Sequence, residues 1–452
     1  MKASLESLQA VLSPLVGGMM RVAEDADTVA GVRPRVVVEP RSEEEVSAVV
    51  SFANQEGLKV LVRGGGTQLG VGFPPTGGDI ILSMLRLNQL IEHAPQDLTA
   101  SVQAGISLTD FQTALASADQ WLALDPVLGP GATIGGIIAT NASGAHRLRF
   151  GGVRDQIIGI RVVLPDGTIA KGGGKVVKNV AGYDLPKLFT GSLGTLGVIV
   201  TATFRLYPLP LASRTVVLIA SDPASLCELA VRVIGSTLIP TMIDIFSPTS
   251  QEEQYTLGVR FEMGPEAADD QSTALIEMAG KLGETAQKLS DEAEEQFWSR
   301  SVTRRTAPNT SETTLSLKAS VLPTEVARWL ESLQHTIQRE NLSADWRAHA
   351  GHGLIYASLS GDTTALITAV DELRQVAMSR QGSLVITNAP YTLASQPAVQ
   401  TANELRSSSA QAVSKEWLDM WGTGSALEVM RRIKARFDPE ATLNPGRFVG
   451  GI

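Results

Sequence analysis

The residues of this chain best arranged for chemistry are those with the smallest side chains. Pro130-Gly131-Ala132-Thr133-Ile134-Gly135-Gly136-Ile137-Ile138-Ala139-Thr140-Asn141-Ala142-Ser143-Gly144 interleaves glycine and alanine with short hydroxyls and one amide. Backbone so thinly clothed can approach a bulky planar ligand, and this composition suits a dinucleotide. The stretch holds no base, nucleophile or metal cluster, so it speaks for binding rather than for a chemical step. A small-residue helix packed tightly on a neighbour would read the same way. A second stretch, Arg63-Gly64-Gly65-Gly66-Thr67-Gln68, can turn successive backbone N–H groups toward phosphate oxygens, with Arg63 adding charge. It lacks the Lys-Ser/Thr of a Walker loop, and it follows the second strand of its unit, unlike G-x-G-x-x-G. A glycine-rich hairpin would explain this loop alone; two such segments, each after a strand or before a helix, point to a pyrophosphate ligand.

The elements that must position these loops can be read around them. Arg35 to Val38 is a strand stopped by Pro40. Ser42 and Glu45 form a capping box, and Val46, Val49, Val50 and Ala53 line one helical face until Gly57. Lys59 to Val62 completes a βαβ unit that opens onto the triple glycine. Strands follow at 79–83 and 99–102, a helix at 108–118, a strand at 157–164 with a Pro165-Asp166-Gly167-Thr168 turn, a helix at 185–189 and a strand ending near Pro208. Residues 1–30 read as an amphipathic helical segment, with Leu5, Leu8, Val11, Leu12 and Leu15 at helical spacing. Beyond Leu211 the glycine motifs stop, and strands alternate with helices in two similar blocks. That pattern implies an α+β cap with an antiparallel sheet and helices on one side.

Composition narrows the function. A chain of 452 residues exceeds the ~250–300 residues of a single core, so two domains are expected. With 47 acidic against 38 basic residues and a net charge of -9, nucleic acid is excluded as a partner. The one cysteine, Cys227, excludes an intrachain disulfide, a cysteine-ligated zinc site and an iron–sulfur cluster held by this chain alone, and fits a cytoplasmic location. No signal peptide is expected, and no run approaches the ~18–20 apolar residues of a membrane span.

From Pro34 to Pro210 the chain resembles the flavin-binding domain of the vanillyl-alcohol oxidase/PCMH superfamily. The matching pieces are Val38-Glu39-Pro40, Ser42 with Glu44-Glu45-Val46, Arg63 to Thr67, Ala139 to Gly144, Asn179 with Gly182-Tyr183-Asp184-Leu185, and Gly191-Ser192 with Gly194 to Ile199. Phe437-Asp438-Pro439 and Leu443-Asn444-Pro445-Gly446-Arg447 resemble the family's closing segment, which returns beside the flavin ring. The resemblance implies a two-subdomain PCMH-type FAD-binding domain over 31–210, an α+β cap over 211–425 and a returning helix and tail over 426–452. It implies that Arg63, Gly64, Gly65, Gly66, Thr67 and Gln68 hold the FAD pyrophosphate. Gly131, Thr133, Gly135, Gly136, Ser143 and Gly144 would line the ribityl and isoalloxazine side, Val198 and Ile199 the adenine half, and Asn444 the ring. Thr67 stands where some relatives carry a flavin-linking histidine, and Cys227 lies outside this domain, so FAD is expected to be noncovalent.

The 2-hydroxyacid branch of the family carries a His-x-Gly-Asp-Gly-Asn-x-His strand and a later Glu-His-Gly in the cap, which bind a divalent metal and supply a base. Here the first reads His349-Ala350-Gly351-His352-Gly353-Leu354-Ile355-Tyr356, and the second Thr387-Asn388-Ala389. No metal is therefore expected, and His349 and His352 are expected to hydrogen-bond within the cap. Trp298, Arg300, Arg304, Arg305 and Lys318 could form a cationic pocket for a carboxylate, or simply a solvated charged helix end. His349, His352, Lys318 and Arg304 are thus the candidates for the chemical step. Arg431, Arg432, Lys434 and Arg436 are expected to complement the dipole of the last helix.

A kept FAD domain, an altered metal motif and Gly191-Ser192-Leu193 together resemble the FAD-binding subunit of glycolate oxidase. That implies an oxidoreductase acting on the CH–OH group of a small 2-hydroxyacid, with a catalytic flavoprotein subunit and an iron–sulfur subunit as partners. A peripheral attachment to the inner membrane through those partners would follow. A noncatalytic FAD-binding scaffold and a standalone flavin dehydrogenase for another alcohol remain the alternatives.

Overall fold

A computed structural model describes residues 4–174, 182–248, 253–303, 313–394, 418–422 and 426–452. Asn179, Arg304 and Arg305, together with the side chain of Arg300, lie outside the described residues. The fold is α+β.

The triple-glycine loop is carried by a four-stranded sheet. Val36, Val37 and Val38 are fully buried in its second strand, and the helix Glu43–Gln55 starts where Ser42 Oγ accepts from the Glu45 N–H at 3.2 Å. Val46, Val49, Val50 and Ala53 face inward, as their spacing requires. The strands this helix joins are not neighbours, however. Ile80–Ser83 lies between Val36–Val38 and Val60–Arg63, parallel to both. Its Ile80, Ile81 and Leu82 are buried on both faces, so it takes the central place and leaves Val60–Arg63 at the edge with its glycine loop open. The amino-terminal segment also departs from the expectation of a helix. Among the described residues of this segment the α-helix covers Leu5–Leu15 alone; beyond Gly17 and Gly18, both at positive φ, Met20–Val22 pairs antiparallel with Val36–Val38.

A second, antiparallel sheet has the order Leu90–Ala94, Thr99–Gln103, Val198–Arg205, Ile157–Val163, Ile169–Gly173. Its apolar face is covered by the helices Leu108–Ala116 and Ile134–Thr140, with Phe111, Leu115, Ile134, Ile137 and Ile138 in one core with Val102, Ile160 and Ala202.

The remaining large sheet has eight antiparallel strands, in the order Ala286–Leu289, Ala212–Ala220, Tyr255–Met263, Met242–Phe246, Ser343–His349, Leu354–Gly361, Thr313–Ser320, Ser383–Asn388. The two similar blocks of sequence meet at its centre, where Ile245 pairs with Ala348 and Phe246 with Arg347. Alternation along each strand divides the sheet into two faces. Ile243, Ile245, Leu315, Leu317, Ala348, Ile355 and Leu359 pack in one core with Leu226, Leu275, Trp329, Leu330, Leu366 and Leu373 of the four covering helices. Asp244, Lys318, Arg347, His349 and Tyr356 therefore share the other face, which closes on the flavin-type half.

Candidate flavin site

The two glycine-rich stretches meet. A Cβ on Gly65 would stand 1.8 Å from the Gly131 carbonyl oxygen, so any larger residue would drive the loops apart. These small residues thus serve first to bring backbone against backbone, and the surface they form is what a ligand meets.

Between the loops runs a cleft of about 650 Å³, lined by Val29, Arg63 to Leu69, Thr133, Gly136, Thr140, Asn444 and Arg447, among others. A second cavity of about 420 Å³ shares Gly64, Thr133, Gly136 and Asn444 with it and adds Met84, Ala104, Gly135, Gly197 and Ile199. Eleven of the residues expected to contact the cofactor therefore converge on one crease: Arg63, Gly64, Gly65, Gly66, Thr67, Gln68, Thr133, Gly135, Gly136, Ile199 and Asn444. The other four stand elsewhere. Gly131 backs the loop, Val198 turns into the core beside Val163 and Val200, and Ser143 and Gly144 lie beneath the cap sheet.

The crease fits a diphosphate. Among the described residues, the backbone N–H groups of Gly64, Gly65, Gly66, Thr67 and Gln68 donate to no protein acceptor, which leaves a run of donors for a ligand. Arg63 contributes less than its sequence position suggests, because its guanidinium donates to Asp27 at 3.0 Å. The cation that sequence reasoning missed is Arg447. It is buried in the cleft wall and donates to the carbonyls of Leu69 and Val71 at 2.6 and 2.7 Å, and among the described residues no carboxylate pairs with it. Burial pushes its pKa down to about 10, the mark of a charge that lacks a counter-ion. The one available sequence signal was a basic residue closing Leu443-Asn444-Pro445-Gly446.

Asn444 acts as a strut. Its Oδ1 accepts from the Val62 N–H at 3.0 Å and its Nδ2 donates to the Leu193 carbonyl at 2.7 Å, which ties the glycine-loop strand to the Gly191–Gly197 turn. Lys434, in the last turn of its helix, does similar work. It is buried, donating to the Thr195 and Leu443 carbonyls and to Asp438.

The cap rests on the flavin-type half beside this crease. His352 Nε2 lies 3.3 Å from the Gly144 carbonyl and Tyr356 donates to the Ser143 carbonyl at 3.1 Å, both across the junction. His352 therefore does not bond within the cap as expected, whereas His349 does, through Nδ1 to Asp244 at 2.7 Å. Burial works against the Asp244 charge, but Arg347 and His349 outweigh it and hold the carboxyl well below its ordinary range. Burial, with the nearby His349, pushes His352 down to about 3. Lys318 lies next to Tyr356 in the strand register, its ammonium 5.9 Å from the ring centre, and among the described residues it pairs with no carboxylate. Trp298 donates to Thr215 Oγ1 at 2.9 Å, so its indole is engaged within the cap.

The residues do not fit the divalent metal of the 2-hydroxyacid branch. Tyr356 and Leu354 stand at two motif positions, and no group of three His, Cys, Asp or Glu side chains among the described residues could hold a metal ion.

Two sheets that meet at a glycine-lined cleft, with the polar face of a third resting beside it on Ser143 and Gly144, are the architecture of a flavin-dependent oxidoreductase. The sequence comparisons agree. Residues 34–173 match the model for the FAD binding domain, and residues 209–385 with 412–448 match that for the FAD linked oxidases, C-terminal domain. The chain is 27% identical over 448 residues to glycolate oxidase subunit GlcD of Bacillus subtilis (strain 168), spanning 95% of this chain and 92% of that one. It is 28% identical to a D-2-hydroxyglutarate dehydrogenase of Xanthomonas citri pv. viticola over 92% of this chain and 89% of that one. A D-lactate dehydrogenase of Archaeoglobus fulgidus is 42% identical over 174 residues, 38% of this chain and 39% of that one. A solved structure of alkyldihydroxyacetonephosphate synthase shares the fold, with a TM-score of 0.69 at 18% identity over 92% of this chain and 78% of that one. The chain belongs to the FAD-linked oxidases of the vanillyl-alcohol oxidase/PCMH superfamily and is an FAD-dependent oxidoreductase of the CH–OH class. No helix among the described residues is long and apolar enough to cross a membrane.

Proposed function

We propose that this protein oxidises a small 2-hydroxyacid such as glycolate or D-lactate, with noncovalently held FAD, and passes the electrons on as a subunit of a glycolate-oxidase-type complex. The observation that carries the substrate class is the polar face of the cap. Lys318, without a carboxylate partner among the described residues, stands in one cross-strand row with Tyr356 and Arg347, above Ser143 and Gly144. An ammonium so placed takes a carboxylate as its counter-ion and turns the 2-hydroxyl carbon toward the crease.

When bound, FAD supplies the two-electron oxidant. The N–H groups from Gly64 to Gln68 and the guanidinium of Arg447 would hold its diphosphate, and the sheet face around Tyr356 would exclude water from the reacting carbon. The resemblance to subunit GlcD supports membership of a complex. Cys227, buried in the Pro223–Ile234 helix with its thiol pushed up by burial to about 12, offers no electron exit, which supports an iron–sulfur partner.

Anaerobic mixing of the FAD-loaded chain with glycolate or D-lactate tests this reading. Bleaching of the flavin band by the chain alone means a complete site, and bleaching only after a catalytic flavoprotein partner is added means a dependent subunit. Lys318→Met is expected to raise KM for the acid at least tenfold with a smaller change in kcat. An unchanged KM rejects the carboxylate anchor.

A further inference from the structure

The cap holds one imidazole in an arrangement that neither the glycine crease nor the carboxylate anchor uses. His349 is fully buried at the end of the Ser343–His349 strand, directly across from Asp244 in the register of the Met242–Phe246 strand. Its Nδ1 is 2.7 Å from Asp244 Oδ1, while Asp244 Oδ2 accepts from Arg347 Nε at 2.7 Å and Nη2 at 2.5 Å. Arg347 thus neutralises the carboxylate and fixes its plane, and the carboxylate fixes the imidazole with Nδ1 as the protonated nitrogen. The other nitrogen, Nε2, is buried and has no partner. So is Nδ1 of His352, whose ring centre is 5.2 Å from that of His349. The Tyr356 ring centre is 5.5 Å from that of His349, and His352 and Tyr356 in turn reach the Gly144 and Ser143 carbonyls. A buried acceptor left without a donor costs about 1–3 kcal/mol, so Nε2 of His349 is an acceptor that a hydroxyl donor would satisfy.

We propose that this protein removes the hydroxyl proton of its substrate without a metal ion, at Nε2 of His349, with Asp244 as the positioning residue that sets the ring and its tautomer. The inference rests on the reading of the protein as a 2-hydroxyacid oxidoreductase. The balance is complete: the O–H bond breaks and its proton goes to Nε2, the C–H bond breaks and its hydrogen leaves with both electrons to the flavin, and the C–O bond becomes C=O. Relatives with the metal motif have a cation to hold the alkoxide. Here the second histidine of that motif is Tyr356, already donating to Ser143, and no group of three His, Cys, Asp or Glu side chains among the described residues could hold a metal ion beside His349.

The test uses the FAD-loaded full chain, with any partner it requires, dialysed against EDTA and checked for metal content. Anaerobic flavin reduction by the acid should proceed within twofold of the undialysed rate and gain nothing from added Mn²⁺ or Zn²⁺. His349→Gln should slow it by about 10²–10⁴-fold with FAD still bound. Asp244→Asn should slow it less and lower the fraction of the Nδ1–H tautomer seen by nitrogen-15 NMR of labelled histidine. Loss of reduction on chelation with recovery on metal addition overturns the proposal, as does full activity in His349→Gln. If no 2-hydroxyacid reduces the flavin at all, the broader reading fails, and the NMR decides this site separately. An Nδ1–H His349 whose signals ignore added Zn²⁺ supports it, and a Zn²⁺-induced shift overturns it.

Discussion

A guanidinium taken out of water without a carboxylate costs several kcal/mol unless another anion meets it, and Arg447 is such a group. Its bonds to Leu69 and Val71 go to neutral carbonyls, so its charge is left for whatever fills the crease. Arg447→Met should weaken FAD binding by about tenfold to a hundredfold, as expected for losing one charge-assisted bond worth ~1.5–3 kcal/mol. Arg447→Lys should recover part of that loss, since it keeps the charge and gives up the fork that holds Leu69 and Val71. Fluorescence titration of apoprotein with FAD measures both, and wild-type affinity in Arg447→Met would show that the anion is held by the N–H groups alone. Residue identity by itself misled at this scale. Arg63, beside the glycines, spends its charge on Asp27, while Arg447, almost four hundred positions away, faces the cleft; only the folded chain sorts two arginines that look alike in sequence.

Elements were legible wherever one local cause set them. Ser42 with its capping bond, the inward valines of Glu43–Gln55 and the glycine loop after Val60–Arg63 all follow from neighbours within a few residues. Ser343–His349 was harder to read, because its Asp345, Arg347 and His349 belong to the polar face of a sheet whose apolar face it only half supplies. The place of Ile80–Ser83 between two strands joined by a helix likewise depends on long-range pairing that no local spacing records. The junction of the two glycine stretches gives the test at this scale. In Gly65→Ala the added methyl meets the Gly131 carbonyl, so the loop must retreat from Thr133 and the N–H row loses its alignment. FAD should be lost from that variant on gel filtration while the far-ultraviolet circular dichroism keeps its wild-type shape. Retained FAD would mean that the loop closes by another route.

At the scale of the whole molecule, the flavin half and the cap are joined through a buried ionic node. His146 Nε2 is 2.7 Å from Glu262 on the cap strand Tyr255–Met263, and its Nδ1 lies at ion-pair distance, 3.4 Å, from Asp125, which also accepts from the Ala145 and His146 N–H groups. Arg260 approaches Glu262 and Glu294 from the cap side, and Trp121 and Phe150 enclose the ring. Burial lowers the His146 pKa, but Asp125 and Glu262 together reverse that and raise it to about 9. A raised pKa stabilises the fold fully below the unfolded value of 6.5 and loses that stabilisation as pH climbs through about 9. Glu262 has the opposite sign. Burial raises its pKa, His146 and Arg260 bring it down to about 2, and its contribution is present above 4.5 and lost as pH falls through about 2. Between 4.5 and 6.5 both halves of the node are at full strength. The thermal unfolding midpoint should therefore decline as pH rises from 6.5 toward 9, and His146→Gln should flatten that slope while costing roughly 3 kcal/mol at pH 6.5, the penalty for leaving buried Glu262 without its cation. A variant with the wild-type slope would place the titrating group elsewhere. Because Asp125 also fixes the backbone that runs on from Ser143 and Gly144, the same node that joins the cap sets the floor on which Tyr356 and His352 rest, and loosening it should slow flavin reduction in step with the loss of stability.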